Sequence, residues 1–306
     1  MPLRVCFVVN LIAGRGRSAR IWRRLEPLVP DLAAGQGASY TVKFTEAPRH
    51  AEELAREAAG EGYDRVAAVG GDGTLNEVGN GLIGTDTALA IIPGGTANDI
   101  VRTYPIPNDP EGATRLAFEG RVGKIDVGLA ETAQVRRYFI NMFGAGFDAE
   151  AAALVNELGP VVKRFGGSVA IPVCLVIALI RYRGPHVTLK VDDQVLDIPK
   201  IIFSAVAIGR YIGNGMMLLP DAIPDDGLFD IMWAHDMGRL EILRTVLKTP
   251  TGRHVEHPQV HVVRGKKVRL ESATPLRCHL DGEAGGFLPA TIELLPKALG
   301  IVLPRG

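Results

Sequence analysis

Three glycine-rich turns, each directly after an apolar run, carry side chains that could do chemistry. The central turn, 70–77, reads Gly-Gly-Asp-Gly-Thr-Leu-Asn-Glu and follows the apolar segment 65–69. Glycine tolerates a positive φ and lets another group approach the backbone closely. A strand, a glycine turn and a helix N-terminus together expose backbone N–H groups that suit a phosphate. Asp72 would then bind Mg²⁺ or a substrate hydroxyl rather than the phosphate itself.

The other two turns repeat this layout. Residues 88–92 lead into 93–99, which read Pro-Gly-Gly-Thr-Ala-Asn-Asp, and residues 5–9 lead into Asn10 and a turn with Gly14 and Gly16. One such turn could be an ordinary strand–helix connection. Three of them on one parallel sheet would all open at its carboxyl edge, where open α/β sheets bind ligands. We therefore expect the glycine turns to position a nucleotide at that edge.

A pair of carboxylates near the end of the chain is a candidate acid–base group. Asp281 and Glu283 flank Gly282. In an extended segment their side chains would share one face. Paired carboxylates can raise the pKa of one partner and leave a usable base. Asp-Gly is also a strong hairpin signal, so a charged turn is the alternative interpretation.

These motifs together resemble the diacylglycerol kinase catalytic family, which includes bacterial soluble lipid kinases and sphingosine and ceramide kinases. The resemblance rests on 10–17, 70–77, 93–99, 220–230 and 281–283, and it extends from Val5 to Pro304. The 70–74 element is shared with NAD kinases and, more loosely, phosphofructokinases, so alone it does not select an acceptor. The family often has proline where this chain has Leu11. No Walker A motif and no protein-kinase motif set is present in the sequence.

The resemblance implies ATP as the phosphate donor and Mg²⁺ as the cofactor. Arg15 or Arg17 would meet an ATP phosphate, or belong to a solvated basic helix face. The nucleotide-lining residues that the resemblance implies are Asn10, Gly14, Thr45, Gly71, Asp72, Gly73, Thr74, Leu75, Asn76, Glu77, Thr96 and Asp99.

The resemblance also implies the roles of several carboxylates. In the family the proton acceptor is the Glu of the Asp-Gly-Glu motif, which makes Glu283 the base, with Asp281 beside it and Asp72 in the same centre. The candidate ligands for a catalytic Mg²⁺ are Asp72, Asp99 and Asp126. A separate structural Mg²⁺ would be held by the Asp226 carboxylate and the backbone carbonyls of Ile223 and Leu228. A plain turn at 225–227 is the alternative.

The elements that must position these residues follow from the apolar pattern. Residues 1–125 predict a parallel βαβ nucleotide-binding domain like those of NAD kinase and phosphofructokinase, with helices on both faces. Alternating segments in 126–297 predict an antiparallel second domain, and the resemblance implies that it is a β-sandwich that receives the lipid substrate. In the family the last strand returns to the first domain, a role that suits 298–306. We therefore expect an α/β plus β protein of two domains with a cleft between them, interrupted by a helical segment at 149–183.

Composition limits the classes of function. The 306 residues carry a formal net charge of zero, which argues against nucleic-acid binding through a broad basic face. Cys6, Cys174 and Cys278 lie in apolar contexts without CxxC spacing, as expected for reduced core residues in the cytoplasm. The longest apolar run, Val169 to Ile180, is shorter than a membrane span of about 20 residues. It could serve a lipid pocket, an interface or membrane contact.

The leading hypothesis is an ATP-dependent lipid kinase that converts diacylglycerol to phosphatidic acid during transient contact with a membrane surface. Sphingosine, ceramide, phosphatidylglycerol and isoprenoid alcohols remain alternative acceptors. An NAD kinase-like enzyme and a non-catalytic nucleotide- or lipid-binding module are the competing functions. The resemblance to bacterial members suggests a homodimer.

Overall fold

A parallel sheet forms the amino-terminal half of the computed structural model, which describes residues 2–157 and 176–305. Its strand order is β2-β1-β3-β4, with all neighbours parallel. These strands are β1 (Arg4–Val9), β2 (Ser39–Phe44), β3 (Arg65–Gly70) and β4 (Ala88–Pro93). Strands β3 and β4 are buried at every position, which explains their continuous apolar sequences. The predicted βαβ domain is confirmed.

Helices cover both faces of this sheet, as the sequence predicts. The helices of this half are α1 (Ala13–Leu25), α2 (Val29–Gly35), α3 (His50–Gly60), α4 (Asp72–Leu82), α5 (Asp99–Thr103) and α6 (Pro110–Glu119). Leu54 and Val78 bring α3 and α4 into the core on one face, whereas Trp22 and Phe118 bring α1 and α6 into the core on the other. Two apolar layers therefore hold the sheet in place.

Antiparallel strands form most of the second half. They are β5 (Arg121–Glu131), β6 (Arg136–Phe139), β7 (Met142–Gly146), β8 (Val187–Val191), β9 (Gln194–Ile198), β10 (Ile201–Ala207), β11 (Tyr211–Ile212), β12 (Met216–Met217), β13 (Phe229–His235), β14 (Val260–Gly265), β15 (Lys267–Ser272), β16 (Arg277–Leu280), β17 (Glu283–Phe287) and β18 (Ala290–Leu303). A six-stranded sheet runs β14-β13-β10-β7-β16-β17. Phe139, Phe143 and Phe229 pack in the core between this sheet and the antiparallel part of the other one, as expected for a sandwich.

Two long strands join the halves. Strands β5 and β18 pair along almost their whole length, from Arg121 opposite Leu303 to Glu131 opposite Thr291. Strand β18 also pairs with β4 in parallel and with β15 in antiparallel orientation, so one ten-stranded sheet passes through both halves. A register shift between Leu295 and Leu299 marks the passage from one half to the other. The predicted division near residue 125 thus falls inside a strand.

Two helical elements lie on the outer face of the six-stranded sheet. These are α7 (Phe147–Glu157) and α8 (Arg239–Val246), and a helical segment at 176–181 lies between them in sequence. Much of the predicted apolar run 169–180 and Cys174 lie outside the described residues. Cys6 and Cys278 are buried and unpaired, as predicted. Within 2–157 and 176–305, no helix has the length and apolarity that crossing a bilayer requires.

Candidate active site

The three glycine turns pack directly against one another at the carboxyl edge of the parallel sheet. Gly14 has a φ of +59°, and a Cβ there would lie 2.7 Å from the Gly94 carbonyl oxygen. A Cβ on Gly95 would lie 2.5 Å from the Cα atom of Gly71. Both distances are too short for any side chain, so glycine is required because backbone meets backbone. The turns form one surface, which we call the phosphate cradle (residues 10–17, 70–74 and 93–98).

Hydrogen bonds cross-link the phosphate cradle. Asn10 Nδ2 donates to Thr74 Oγ1 at 3.0 Å, and Arg17 Nη1 donates to the Gly95 carbonyl oxygen at 3.2 Å. Helix α4 begins at Asp72, and its N-cap residue Gly71 supplies no side-chain cap. The N-terminal amides and the positive end of the helix dipole are therefore available to an anion. Arg17 stabilises the cradle through its hydrogen bond to the Gly95 carbonyl oxygen. The sequence does not predict this role.

The Asp72 carboxylate stands at the start of α4. Its Oδ1 atom accepts a hydrogen bond from the Ile100 amide at 3.1 Å. Burial raises the pKa of Asp72, and the nearby Asp99 and Asp281 carboxylates raise it further. Mg²⁺ is commonly held by one or two carboxylates together with substrate phosphates. Asp72 therefore fits a cation shared with the phosphates of a bound nucleotide.

Asp99 and Asp126, the other two predicted ligands of a catalytic Mg²⁺, use both carboxylate oxygens for backbone amides. Asp99 accepts from Asn214 N at 2.9 Å and from Gly215 N at 2.7 Å. Asp126 is fully buried and accepts from Gly227 N at 2.7 Å and Lys297 N at 2.8 Å. Over the described residues, no three His, Cys, Asp or Glu side chains come together as a metal cluster. Asp99 therefore anchors the backbone at 214–215, and Asp126 anchors the backbone at Gly227 and Lys297.

The Asp281–Glu283 segment is a hairpin turn and not an extended strand. Leu280 pairs with Glu283, and both central residues have positive φ, +49° at Asp281 and +87° at Gly282. Positive φ at both positions is typical of a type I′ turn. The expectation that the two carboxylates share one strand face is therefore wrong, because the turn reverses the chain between them.

The Asp281 carboxylate is enclosed by hydrogen-bond donors. It accepts from the backbone amides of Ile140, Asn141 and Met142 at 2.9, 3.1 and 2.7 Å, and from Asn76 Nδ2 at 2.7 Å. Burial raises the pKa of Asp281, and these N–H donors oppose that rise. The side chain joins α4 to the strands around residue 140. It positions the hairpin and has no oxygen left for proton transfer.

The Glu283 carboxylate lies against the first turn of α4. A Cβ on Gly73 would lie 3.4 Å from Glu283 Oε1, and the Glu283 side chain keeps 41% of its surface exposed. Burial raises the pKa of Glu283, whereas the Arg137 guanidinium, whose Nε lies 4.0 Å from Oε2, lowers it. A partly exposed carboxylate with a raised pKa beside an anion-binding helix terminus suits general base catalysis.

Arg137 is a site residue that the sequence analysis missed. It is 8% exposed, and its Nε and Nη2 donate to Asn76 Oδ1 while Nη1 donates to Glu52 Oε2 at 3.1 Å. This guanidinium therefore connects α3, α4 and Glu283. No sequence pattern indicates Arg137, because its partners are distant in the chain. Arg136 beside it is an equally basic surface residue, paired with Glu131 at 3.7 Å.

Three predicted nucleotide-lining residues of α4 direct their side chains elsewhere. Leu75 is fully buried in the core, and Asn76 is occupied by Arg137, Asp281 and the carbonyl oxygen of Tyr138. Glu77 accepts from Arg49 N at 3.0 Å and Ala51 N at 3.3 Å, and so caps the start of α3. Thr96 and Thr45 keep exposed or partly exposed positions after β4 and β2. Of the predicted residues on α4, Asp72 and Thr74 keep their side chains at the phosphate cradle.

The carboxylate of the predicted structural Mg²⁺ set already has protein partners in this structure. Asp226 Oδ1 accepts from Leu228 N at 3.1 Å, and Oδ2 forms an ion pair with Arg264. Arg264 also lies 3.4 Å from the buried Asp230. The guanidinium thus occupies the carboxylate oxygen that Mg²⁺ would need. The structural Mg²⁺ site of Asp226, Ile223 and Leu228 and the plain turn at 225–227 both stay predictions.

Comparisons with known proteins identify relatives of both halves of the chain. Residues 4–130 match the family model described as the diacylglycerol kinase catalytic domain, and residues 141–303 match that of the YegS C-terminal NAD kinase beta sandwich-like domain. A curated diacylglycerol kinase of Staphylococcus saprophyticus is 29% identical over 100% of this chain and 97% of its own length. One of Staphylococcus aureus is 31% identical over 87% of this chain and 81% of its own length.

A solved structure shares the fold. The crystal structure of a diacylglycerol kinase from Bacillus anthracis superposes with a TM-score of 0.73 at 24% identity, covering 99% of this chain and 97% of the other. This likeness includes both halves and so supports the two-domain architecture.

Proposed function

This chain belongs to the diacylglycerol kinase catalytic family, and we propose that it transfers the γ-phosphate of ATP to the free hydroxyl of diacylglycerol, giving phosphatidic acid. One observation carries the proposal. The Glu283 carboxylate lies against Gly73, next to the phosphate cradle, so a candidate base and a candidate phosphate site meet at one point. Phosphoryl transfer needs positioned phosphates, charge stabilisation and a group that accepts the hydroxyl proton.

In this mechanism the phosphate cradle holds the ATP phosphates through backbone amides. Gly71, Gly73 and the start of α4 direct N–H groups at the transferring phosphate. Close approach of backbone to phosphate requires the glycines, and the helix dipole favours the negative charge. Bound Mg²⁺ would spread the charge that develops on the phosphate oxygens, and Asp72 is the side chain that would hold it.

Glu283 accepts the proton of the lipid hydroxyl as that oxygen attacks the γ-phosphorus. Its raised pKa makes the carboxylate a stronger base than an ordinary glutamate. Asp281 holds the hairpin that presents Glu283, and Arg137 limits how far the pKa of Glu283 rises. The acceptor hydroxyl would thus lie between Glu283 and the cradle.

The experiment is transfer of labelled γ-phosphate from ATP to a panel of acceptors in detergent, with and without Mg²⁺. The panel contains diacylglycerol, sphingosine, ceramide, phosphatidylglycerol, an isoprenoid alcohol and NAD⁺. We expect Mg²⁺-dependent label in phosphatidic acid. Label in another lipid would change the acceptor, label in NADP⁺ would overturn the lipid assignment, and ATP binding without transfer would favour a binding module.

A further inference from the structure

Helix α8 has apolar residues on the side that faces solvent. Leu240, Leu243 and Leu247 are 62%, 45% and 80% exposed. Their i, i+3, i+7 spacing places them on one stripe of the helix. The opposite stripe already contacts the protein through Ile242 and Thr245, which are buried. The exposed leucines therefore form a second apolar stripe, which does not pack in the core.

A neighbouring element extends this surface. Ile180, at the end of the 176–181 segment, is 57% exposed, and its carbonyl oxygen accepts a hydrogen bond from Arg239 Nη2 at 2.9 Å. This contact fixes the 176–181 segment beside the start of α8. We call the exposed side chains Ile180, Leu240, Leu243, Val246 and Leu247 the leucine face.

Cations surround the leucine face. Arg239, Arg244 and Lys248 are exposed on α8 and its C-terminal end, and Arg181 and Arg183 are exposed just after Ile180. The acidic residue of α8, Glu241, is already engaged by the Gly238 amide at 3.1 Å and by His257 Nε2 at 3.1 Å. An apolar stripe with a basic border matches the boundary between the headgroups and acyl chains of an anionic bilayer.

The leucine face is connected to the candidate active site through packed side chains. Ile242, on the inner side of α8, packs in the same buried cluster as Leu179 and Met142. The Met142 amide donates to Asp281 Oδ1 at 2.7 Å, so this cluster ends at the hairpin that carries Glu283. The leucine face and the hairpin that carries Glu283 are thus attached to the same packed cluster.

We propose that the leucine face docks on a bilayer that contains anionic phospholipids, and that this docking delivers a bilayer-embedded acceptor to the site. The inference rests on the proposed lipid kinase function. The leucines enter the headgroup boundary while Arg244 and Lys248 contact lipid phosphates. Both contributions are needed, because a single short apolar stripe or a few charges bind membranes weakly.

The test combines vesicle binding with two forms of the same substrate. The variant is Leu240→Ser/Leu243→Ser/Leu247→Ser, and the matched control is Val195→Ser on β9, whose side chain is 62% exposed away from α8. Binding is measured by co-sedimentation with phosphatidylcholine vesicles with and without phosphatidylglycerol. Activity is measured on diacylglycerol in those vesicles and on a monomeric short-chain diacylglycerol in solution.

We expect the wild-type protein and Val195→Ser to bind the phosphatidylglycerol vesicles and the triple variant to lose about tenfold or more in binding. Activity on vesicle substrate falls in parallel, while activity on the monomeric substrate and the melting temperature stay unchanged. A second variant, Arg244→Glu/Lys248→Glu, keeps the leucines and loses the preference for phosphatidylglycerol.

Three results would overturn the proposal. One is a wild-type protein that does not bind either vesicle, and another is a triple variant that binds as well as wild type. The third is a triple variant that changes sedimentation velocity from dimer to monomer, since the leucine face would then join two copies of this chain. Lack of transfer to the monomeric substrate by the wild type would instead remove the proposed reaction, whatever the vesicles show.

Discussion

The phosphate cradle and the Asp281–Glu283 hairpin lie next to each other at the same site and are held by different kinds of contact. The cradle depends on backbone packed against backbone, with Gly71 beside Gly95 and Gly14 beside Gly94. The hairpin depends on one buried carboxylate that collects three backbone amides and an asparagine from distant segments. This difference shows that short local motifs are enough to form the phosphate cradle. The position of the candidate base depends on contacts from the whole fold.

The sharpest test of this comparison separates the two carboxylates of the hairpin. Glu283→Gln keeps the shape of the side chain and removes the proton acceptor. We expect turnover to fall by about 10³-fold, with ATP affinity and melting temperature unchanged. Initial rates and ATP binding by calorimetry check this. Unchanged turnover would show that another group accepts the proton.

Asp281→Asn should act on structure first. The amide NH₂ would face N–H donors, which leaves buried donors without an acceptor and costs about 3 kcal/mol in the free energy of unfolding. Activity would fall because Glu283 loses its position. Urea denaturation gives the stability change. A variant with wild-type stability but no activity would instead assign Asp281 a direct chemical role.

Arg137→Met tests the link between the two sides. Loss of this buried cation should cost about 3 kcal/mol of stability. It should also raise the pKa of Glu283 further, because the guanidinium lowers that pKa in the wild type, against burial and the carboxylates of Glu77 and Asp281. Arg49, the other nearby cation, remains.

The pH dependence of kcat/KM measures the expected rise in the pKa of Glu283. Glu283 works ionised, so kcat/KM falls as the pH decreases through its pKa, which lies above the ordinary 4.5. In Arg137→Met the acidic limb should move to higher pH, whereas Arg137→Lys should keep it near its wild-type position. Arg136→Met, at the exposed neighbouring position, is the control and should change neither quantity. An unmoved limb in Arg137→Met would mean that Arg137 is only structural.

Gly95→Ala should disturb the cradle without touching the hairpin. The new Cβ would lie 2.5 Å from Gly71 Cα, and overpacking of this kind costs about 2 kcal/mol. The KM for ATP should rise more than the KM for the lipid. Gly60→Ala, where no atom lies within 4 Å of the added Cβ, is the matched control. Equal effects of the two substitutions would contradict the close-packing argument.

The smallest change in stability is expected from metal removal. Because Arg264 occupies Asp226, chelation by EDTA should leave the melting temperature of the ligand-free protein unchanged while it abolishes phosphate transfer. Asp226→Ala and Arg264→Met should each lower the melting temperature modestly. A fall of the melting temperature on chelation would restore the structural Mg²⁺ that the sequence resemblance implies.

Much of the amino-terminal half could be predicted from the sequence. The apolar runs before each glycine turn predict buried parallel strands, and the glycines of 70–73 and 93–95 predict close backbone approach. These signals are local, since a strand, a turn and a helix start lie within a few residues of each other. The motif at 281–283 likewise indicates the position of the candidate base, and its local geometry is the hairpin turn that Asp-Gly allows rather than an extended segment.

Only the tertiary structure decided how side chains are shared between the halves. Glu77 turned to cap α3, Asp126 and Asp99 bound loop amides, and Arg137 rather than Arg136 reached Glu283. The physical reason is that each carboxylate or guanidinium could pair with several groups, and the sequence alone does not distinguish them. Which of them it meets depends on the register of β5 with β18 and on the packing of α4, and these are set by burial across the whole molecule.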